Sequence, residues 1–201
     1  MIGAPCKRLS GGTMKLSTDR IVSLSAMLVG VGSLFIILYQ TQLLRESQRA
    51  SVLPYMMVSL MANDEGTYIV VRNSGVGPAL IEDVRIRHRG RELAMDPYDF
   101  YVSARGAERG EGLSVDKLMP GRLISAGEWV LALGWEGEGA DAMVGELLGL
   151  FDIGEVPKSW YDAAGVPASG PDKAIIDVTY ASVYGERWRV TSDQVVPVLL
   201  D

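Results

Sequence analysis

Residues 21–39, IVSLSAMLVGVGSLFIILY, hold no charged residue and no proline across 19 positions. As a helix rising 1.5 Å per residue this run is about 28 Å long, close to the ~30 Å hydrocarbon core of a bilayer. It predicts a transmembrane helix over 20–40 and divides the rest of the chain around it. Residues 1–19 read as a disordered basic tail, with Gly3, Pro5, Gly11, Gly12 and the three cations Lys7, Arg8 and Lys15. Residues 41–53 read as a helical stalk: they lack glycine, Leu43, Leu44, Ser47 and Ala50 lean to one side, and Pro54 stops the helix. A cleaved signal needs a shorter apolar core and a small-x-small site after it. Here the core is followed by Gln40-Thr41-Gln42-Leu43-Leu44-Arg45, so the expectation is an uncleaved anchor.

Charge separates the two sides of this run. Residues 1–50 carry Lys7, Arg8, Lys15, Arg20, Arg45 and Arg49 against Asp19 and Glu46, whereas residues 51–201 carry 13 Lys/Arg against 23 Asp/Glu. The larger part is therefore acidic and a poor match to nucleic acid, whose phosphates demand a basic footprint. Four cations precede the span and two follow it closely. By the positive-inside rule this places the N-terminus in the cytoplasm and the large domain outside, as a single-pass protein of the cell inner membrane. No later run reaches the length of a second span.

Beyond Pro54 the pattern changes to strands. Residues 55–61 and 67–72 flank the turn cluster Asn63-Asp64-Glu65-Gly66 and read as a hairpin. In IEDVRIRHR, Val84, Ile86 and His88 share one face, and Asp83, Arg85, Arg87 and Arg89 the other. Trp129, Leu131, Leu133 and Trp135 are expected to line one buried face of a further strand. A last hairpin sets Ile176, Val178 and Tyr180 on the inner face, opposite Asp177 and Thr179, and pairs them with Trp188 and Val190 across a turn at Tyr184-Gly185-Glu186. Asp96-Pro97 caps a short helix, and Met143, Val144, Leu147, Leu148 and Phe151 form one helical stripe. A turn of helix is expected near 159–163. The fold class is mainly β: a transmembrane helix with stalk, then an antiparallel β-sandwich over 54–201, immunoglobulin-like in layout, with insertions at about 91–122 and 136–172.

The span, the stalk ending ASVLPY, the turn VRNSGVGPALI and the late VTYASVYGERW resemble a loose group of uncharacterised bacterial proteins. These share an N-terminal membrane anchor and a β-rich domain with an N-x-G-x-G-P-A turn. The resemblance covers 40–90 and 174–190 and implies no activity.

Few residues invite chemistry. Gly75-Val76-Gly77 lacks the third glycine of a dinucleotide fingerprint, because position 80 is Leu80, and Pro78 has no N–H for an anion nest. A structural turn is expected instead, with at least one of the two glycines at positive φ. His88 is the only histidine and Cys6 the only cysteine. One chain therefore builds no His-based or thiolate metal site, and no metal or cofactor is expected. A half-buried structural role suits His88. Glu136, Glu138 and Asp141 cluster in WEGEGAD without the spacing of a calcium loop. Arg85, Arg87 and Arg89 form a basic stripe that could meet an acidic partner or lipid headgroups. Ser23, Ala26, Gly30 and Ser33 set small residues along one face of the span, where a second copy could pack to give a homodimer. The expected function is a non-enzymatic binding or accessory module held at the lipid bilayer, with a protein partner and no nucleic acid. The alternative is a membrane-anchored hydrolase that uses Glu136, Glu138 or Asp141, since paired carboxylates serve glycoside hydrolysis.

Overall fold

The computed structural model describes residues 18–50, 52–106, 113–137 and 139–200. Most of the expected basic tail, residues 107–112 and Glu138 lie outside the described residues. The chain divides into two compact units, 1–47 and 48–201.

The first unit is carried by α1 (Thr18–Ala50), one helix of 33 residues. Asp19 in its first turn complements the positive end of the helix dipole. It is long and apolar enough to cross a membrane, and none of its described side chains is buried. The expected stalk is part of the same helix, which ends four residues before Pro54. Within the apolar run Ser23 Oγ donates to Asp19 O and Ser33 Oγ to Val29 O, each at 2.8 Å. The hydroxyls are thus satisfied by their own helix, as an apolar medium requires.

The second unit contains two antiparallel sheets. Its elements are β1 (Met56–Asn63), β2 (Gly66–Asn73), β3 (Ala79–His88), β4 (Arg91–Leu93), α2 (Pro97–Arg105), β5 (Leu113–Ser114), β6 (Leu123–Ile124), β7 (Trp129–Glu136), α3 (Ala140–Leu150), α4 (Lys158–Ala164), β8 (Ile175–Ala181), β9 (Arg187–Thr191) and β10 (Val198–Leu200). The first sheet runs β1-β2-β7-β5 and the second β10-β9-β8-β3-β4, with β6 against the start of β3. Both expected hairpins form, β1–β2 and β8–β9.

One core lies between the inner faces. Met56, Val58, Leu60, Ile69 and Val71 come from the first sheet; Ile81, Val84, Ile86, Ile176, Val178, Tyr180 and Val190 come from the second. The Tyr180 hydroxyl accepts from the Met56 N–H at 3.4 Å, joining the two layers through a buried polar pair. The inserted helices complete the core. Asp96 caps α2, its Oδ1 accepting from the Asp99 N–H at 2.8 Å, Pro97 occupies the first turn, and Gly106 ends the helix at φ 63°. α3 buries Met143, Leu147 and Leu148. Phe100 of α2 stacks edge-on between His88 and Phe151, with centroids 5.2 and 5.7 Å away. The insertion at about 91–122 also supplies short sheet strands, β4, β5 and β6.

The expected face of β7 is only half right. Ile69 pairs with Leu133 and Val70 with Leu131, leaving Ala132 as the extra residue of a bulge. Leu133 faces inward, opposite Ile69. Below the bulge the faces exchange: Val130 and Ala132 are buried, Leu131 is half-buried, and Trp129 is 56% exposed. The four residues Trp129, Leu131, Leu133 and Trp135 therefore do not share one face.

Candidate functional site

The outer face of the second sheet gathers the charged residues of three strands. The alternation that turns Ile86, Ile176, Val178 and Val190 inward turns Arg85 and Arg87 of β3, Asp177 and Thr179 of β8, and Arg187 and Arg189 of β9 outward. Arg85 stands opposite Asp177, and Thr179 opposite Arg189. Asp177 sits at the centre, its side chain only 7% exposed although it faces away from the core. Arg87 Nε lies 3.3 Å from its Oδ2 and Arg189 Nε 3.4 Å from its Oδ1. The long arginine side chains cover the carboxylate while their own heads stay partly in water. These contacts are looser than the ~2.7–2.9 Å of a well-formed charge-assisted hydrogen bond. Arg87 Nε is buried and, despite its ion pair, makes no aligned hydrogen bond.

The remaining arginines are paired at the rim. Arg85 Nε meets Asp83 Oδ2 at 2.5 Å and its Nη1 meets Glu92 Oε2 at 3.0 Å. Arg187 Nε donates to Glu82 Oε2 at 2.6 Å. Between them lies a polar hollow of about 360 Å³, with Asp177 and Thr179 on its floor, Arg85, Arg187 and Arg189 on its sides, and Leu200 of β10 at one edge. Arg85, Arg87, Arg187 and Arg189 are matched in number by Glu82, Asp83, Glu92 and Asp177, so the face is charged but nearly neutral overall.

Burial pushes the Asp177 carboxyl above the usual carboxylate range, and Arg189 and Arg87 pull it back only in part. A folded-state pKa above the unfolded one gives stability that is fully present below the unfolded value, near ~4, and is lost as pH rises through the folded pKa. Ionised Asp177 is therefore a cost that its protonated form does not carry. Asp177→Asn cannot titrate and keeps one side-chain oxygen toward the two arginines. Its Tm, taken relative to the parent, is expected to rise between about pH 3 and pH 7 in thermal melts; a relative fall would mean that the arginines outweigh burial.

The expected basic stripe is altered in two ways. Arg85 and Arg87 lie on it, but both are paired. Arg89 has left the strand: it occupies the β3–β4 turn at φ 50° and pairs with Asp172 at 2.9 Å. His88, on the inner face, brings Nε2 to 3.0 Å from the Asp172 carbonyl oxygen, to which the Nε2–H tautomer donates, and packs on Phe100. Its place is structural. Glu136 is the exposed last residue of β7. Glu138 lies outside the described residues, and of Asp141 only the position in the first turn of α3 is described. Among the described residues no three His, Cys, Asp or Glu side chains form a group that could hold a metal ion. Ser23, Ala26, Gly30 and Ser33 recur along one face of α1.

Sequence reasoning passed over Lys173. It is 5% exposed, donates to Ala168 O at 3.2 Å, and places Nζ 4.7 Å from the centre of the Tyr161 ring. Burial lowers its pKa, with Asp152 opposing. Tyr161 in turn donates to Ile153 O at 2.6 Å, so this group holds the two ends of the segment between α3 and β8 together. An apolar crevice of about 510 Å³ lies beside it, between α3 and α4, lined by Ala142, Gly145, Ala163 and Trp160.

Residues 21–194, from the start of the apolar run to just before β10, match a family model described as Domain of unknown function (DUF8453). No curated protein and no solved structure matches the chain. The family match spans most of the sequence and takes in both the apolar helix and the two sheets, and the chain belongs to this DUF8453 family.

Proposed function

We propose that this chain is a single-pass, membrane-anchored module that binds a protein partner through the outer face of its second sheet and performs no chemistry of its own. The observation that carries this reading is Asp177, a carboxylate buried under loosely held arginines on a face turned away from the core. A charge buried at such a place costs stability, and an arrangement of this kind in a hollow is a mark of recognition sites. The balance of charges selects the partner. A polyanion needs a net basic footprint, whereas equal numbers of arginines and carboxylates suit a protein surface that also presents both signs. The apolar helix supplies the tether, and the distribution of Lys7, Arg8, Lys15 and Arg20 before it favours an N-terminus in the cytoplasm and the domain outside the inner membrane.

Two experiments test the reading. Deleting residues 1–40 is expected to move the protein from the membrane pellet to the soluble fraction; a deletion product that still pellets as a folded protein would refute the tether. The second is affinity purification of the full chain from its native membrane, followed by identification of what accompanies it. The double variant Arg187→Ala/Arg189→Ala is expected to lose the accompanying protein. Arg187 and its partner Glu82 are both partly exposed, so the loss of that pair costs only about 0–1 kcal/mol. Arg189→Ala uncovers the buried Asp177, and a thermal melt confirms that the double variant is folded before recovery is scored. Undiminished recovery of the same partner would remove the second sheet from the interface.

A further inference from the structure

The end of the domain at which the chain enters from the apolar helix also exposes a group of large apolar residues. We propose that this end docks on the lipid surface of the bilayer that holds the span, an inference that rests on the membrane-anchored reading above.

Backbone pairings locate the end. Val76 and Gly77, in the turn after β2, donate to Leu53 O at 3.1 and 3.4 Å, next to the point where the chain reaches β1. Leu80, at the start of β3, pairs with Leu123 of β6 and with Ala181 at the end of β8. Val183 and Tyr184 follow Ala181 in the β8–β9 turn. Met119 lies in the loop that the Gly121 N–H ties to Ile81 O at 2.8 Å. Val76, Leu80, Met119, Leu123, Val183 and Tyr184 are 65, 42, 50, 54, 59 and 47% exposed. The opposite end carries Asp64, Glu65, Arg89, Arg91 and Glu136 at its turns. Toward that end the exposed large apolar side chains among the described residues are Met61 and, in the connection that follows β9, Val195 and Val196.

Three arguments select lipid as the occupant. The first is reach. Residues 40–50 are helical and Leu53 follows three residues later, so the entry point to the domain is no more than about 27 Å from the end of the apolar run, and the headgroup layer fills ~5–8 Å of that distance. A tether this short keeps the end at a high effective concentration beside the bilayer. The second is shape. Most of the residues sit on turns and loops that project from the sheets, which suits shallow insertion among headgroups, and Tyr184 is an interfacial residue type. The third is charge. Arg122 is held by Asp116 at 2.6 Å and Lys117 pairs with Asp99 at 3.8 Å, so these two cations are engaged within the domain and Arg72 is the exposed cation beside the turn. Docking is therefore apolar in origin and does not need anionic lipid.

The test uses the full chain carrying Cys6→Ser, with single cysteines introduced at Leu123, Val183, Asp64 and Leu28 and labelled with an environment-sensitive fluorophore. Each protein is reconstituted into phosphatidylcholine vesicles that contain a lipid with a nitroxide near the headgroup or, for Leu28, deep in the acyl chain. The labels at Leu123 and Val183 are expected to lose most of their emission to the shallow nitroxide, at low and high salt alike, and the label at Asp64 to keep its emission. The Leu28 label is expected to be quenched by the deep nitroxide. Quenching at Leu28 without quenching at Leu123 and Val183 overturns the docking and leaves the anchor standing; an unquenched Leu28 overturns the anchor itself. Shielding of Leu123 and Val183 that depends on protein density and not on the nitroxide would assign this end to a second copy. Equal quenching at Asp64 would show that the domain has no preferred end.

Discussion

Leu133→Ala is expected to cost about 2–5 kcal/mol, the range for truncating a fully buried leucine. For a domain of this size that lowers the Tm by roughly 5–15 °C. Trp129→Ala, only four residues away on the same strand, is expected to stay within about 0.5–1 kcal/mol of the parent, because its side chain is 56% exposed. Leu131→Ala should fall between them. Simple alternation assigns one face to all three, and the bulge at Ala132 is what separates them. Above it, Leu133 opposes Ile69 and reaches the core. Below it, Leu131 opposes Val70, which faces away from the core, and Trp129 opposes Arg72. Thermal or denaturant melts of the three variants read the bulge directly. Equal losses at Leu131 and Leu133 would mean that the strand runs without it.

The same strand shows where the sequence stops being informative. Features set by near neighbours in the chain were legible: the apolar run, the Asp96-Pro97 helix start, the stripe of α3 and both hairpins. The bulge was not, because it exists only in the pairing of β7 with β2, and Glu82 is displaced by a similar irregularity between β3 and β8. The charged face was half legible. Alternation placed Asp177 and Thr179 on the outer side but could not show that arginine stems from two neighbouring strands would bury Asp177. Arg89 was assigned to the stripe although Arg89-Gly90 lies between two strand-like runs, a signal for a turn that alternation overrode. The short strands β4, β5, β6 and β10 have two or three residues each, too few for a period to be read.

Gly77→Ala is expected to destabilise the domain by about 1–3 kcal/mol, the usual cost of forcing an extra group into a packed place. The reason differs from the one the sequence suggests. Neither Gly75 nor Gly77 has a positive φ. A Cβ on Gly77 would instead overlap the carbonyl of Val52, and one on Gly75 would overlap Leu53 O and Tyr55 N. The glycines are there because the entering chain runs directly across this turn. Asn73, fully buried, fastens the crossing: its Oδ1 accepts from Tyr55 N and Gly75 N at 3.2 and 3.0 Å, and its Nδ2 donates to Gly77 O and Ile124 O at 2.7 and 3.1 Å. An added methyl at Gly77 must push Val52 away, and the bonds from Val76 N and Gly77 N to Leu53 O go with it. Gly90→Ala supplies the comparison. Gly90 has φ 73° and open space around its Cα, so its penalty is backbone strain alone, about 1 kcal/mol. Melts of the two variants should therefore rank Gly77→Ala below Gly90→Ala. Amide exchange should also show faster opening at Val76 and Gly77 in the Gly77 variant only. If Gly77→Ala keeps full stability while any bound partner is lost, the turn belongs to a binding surface and not to the entry of the chain.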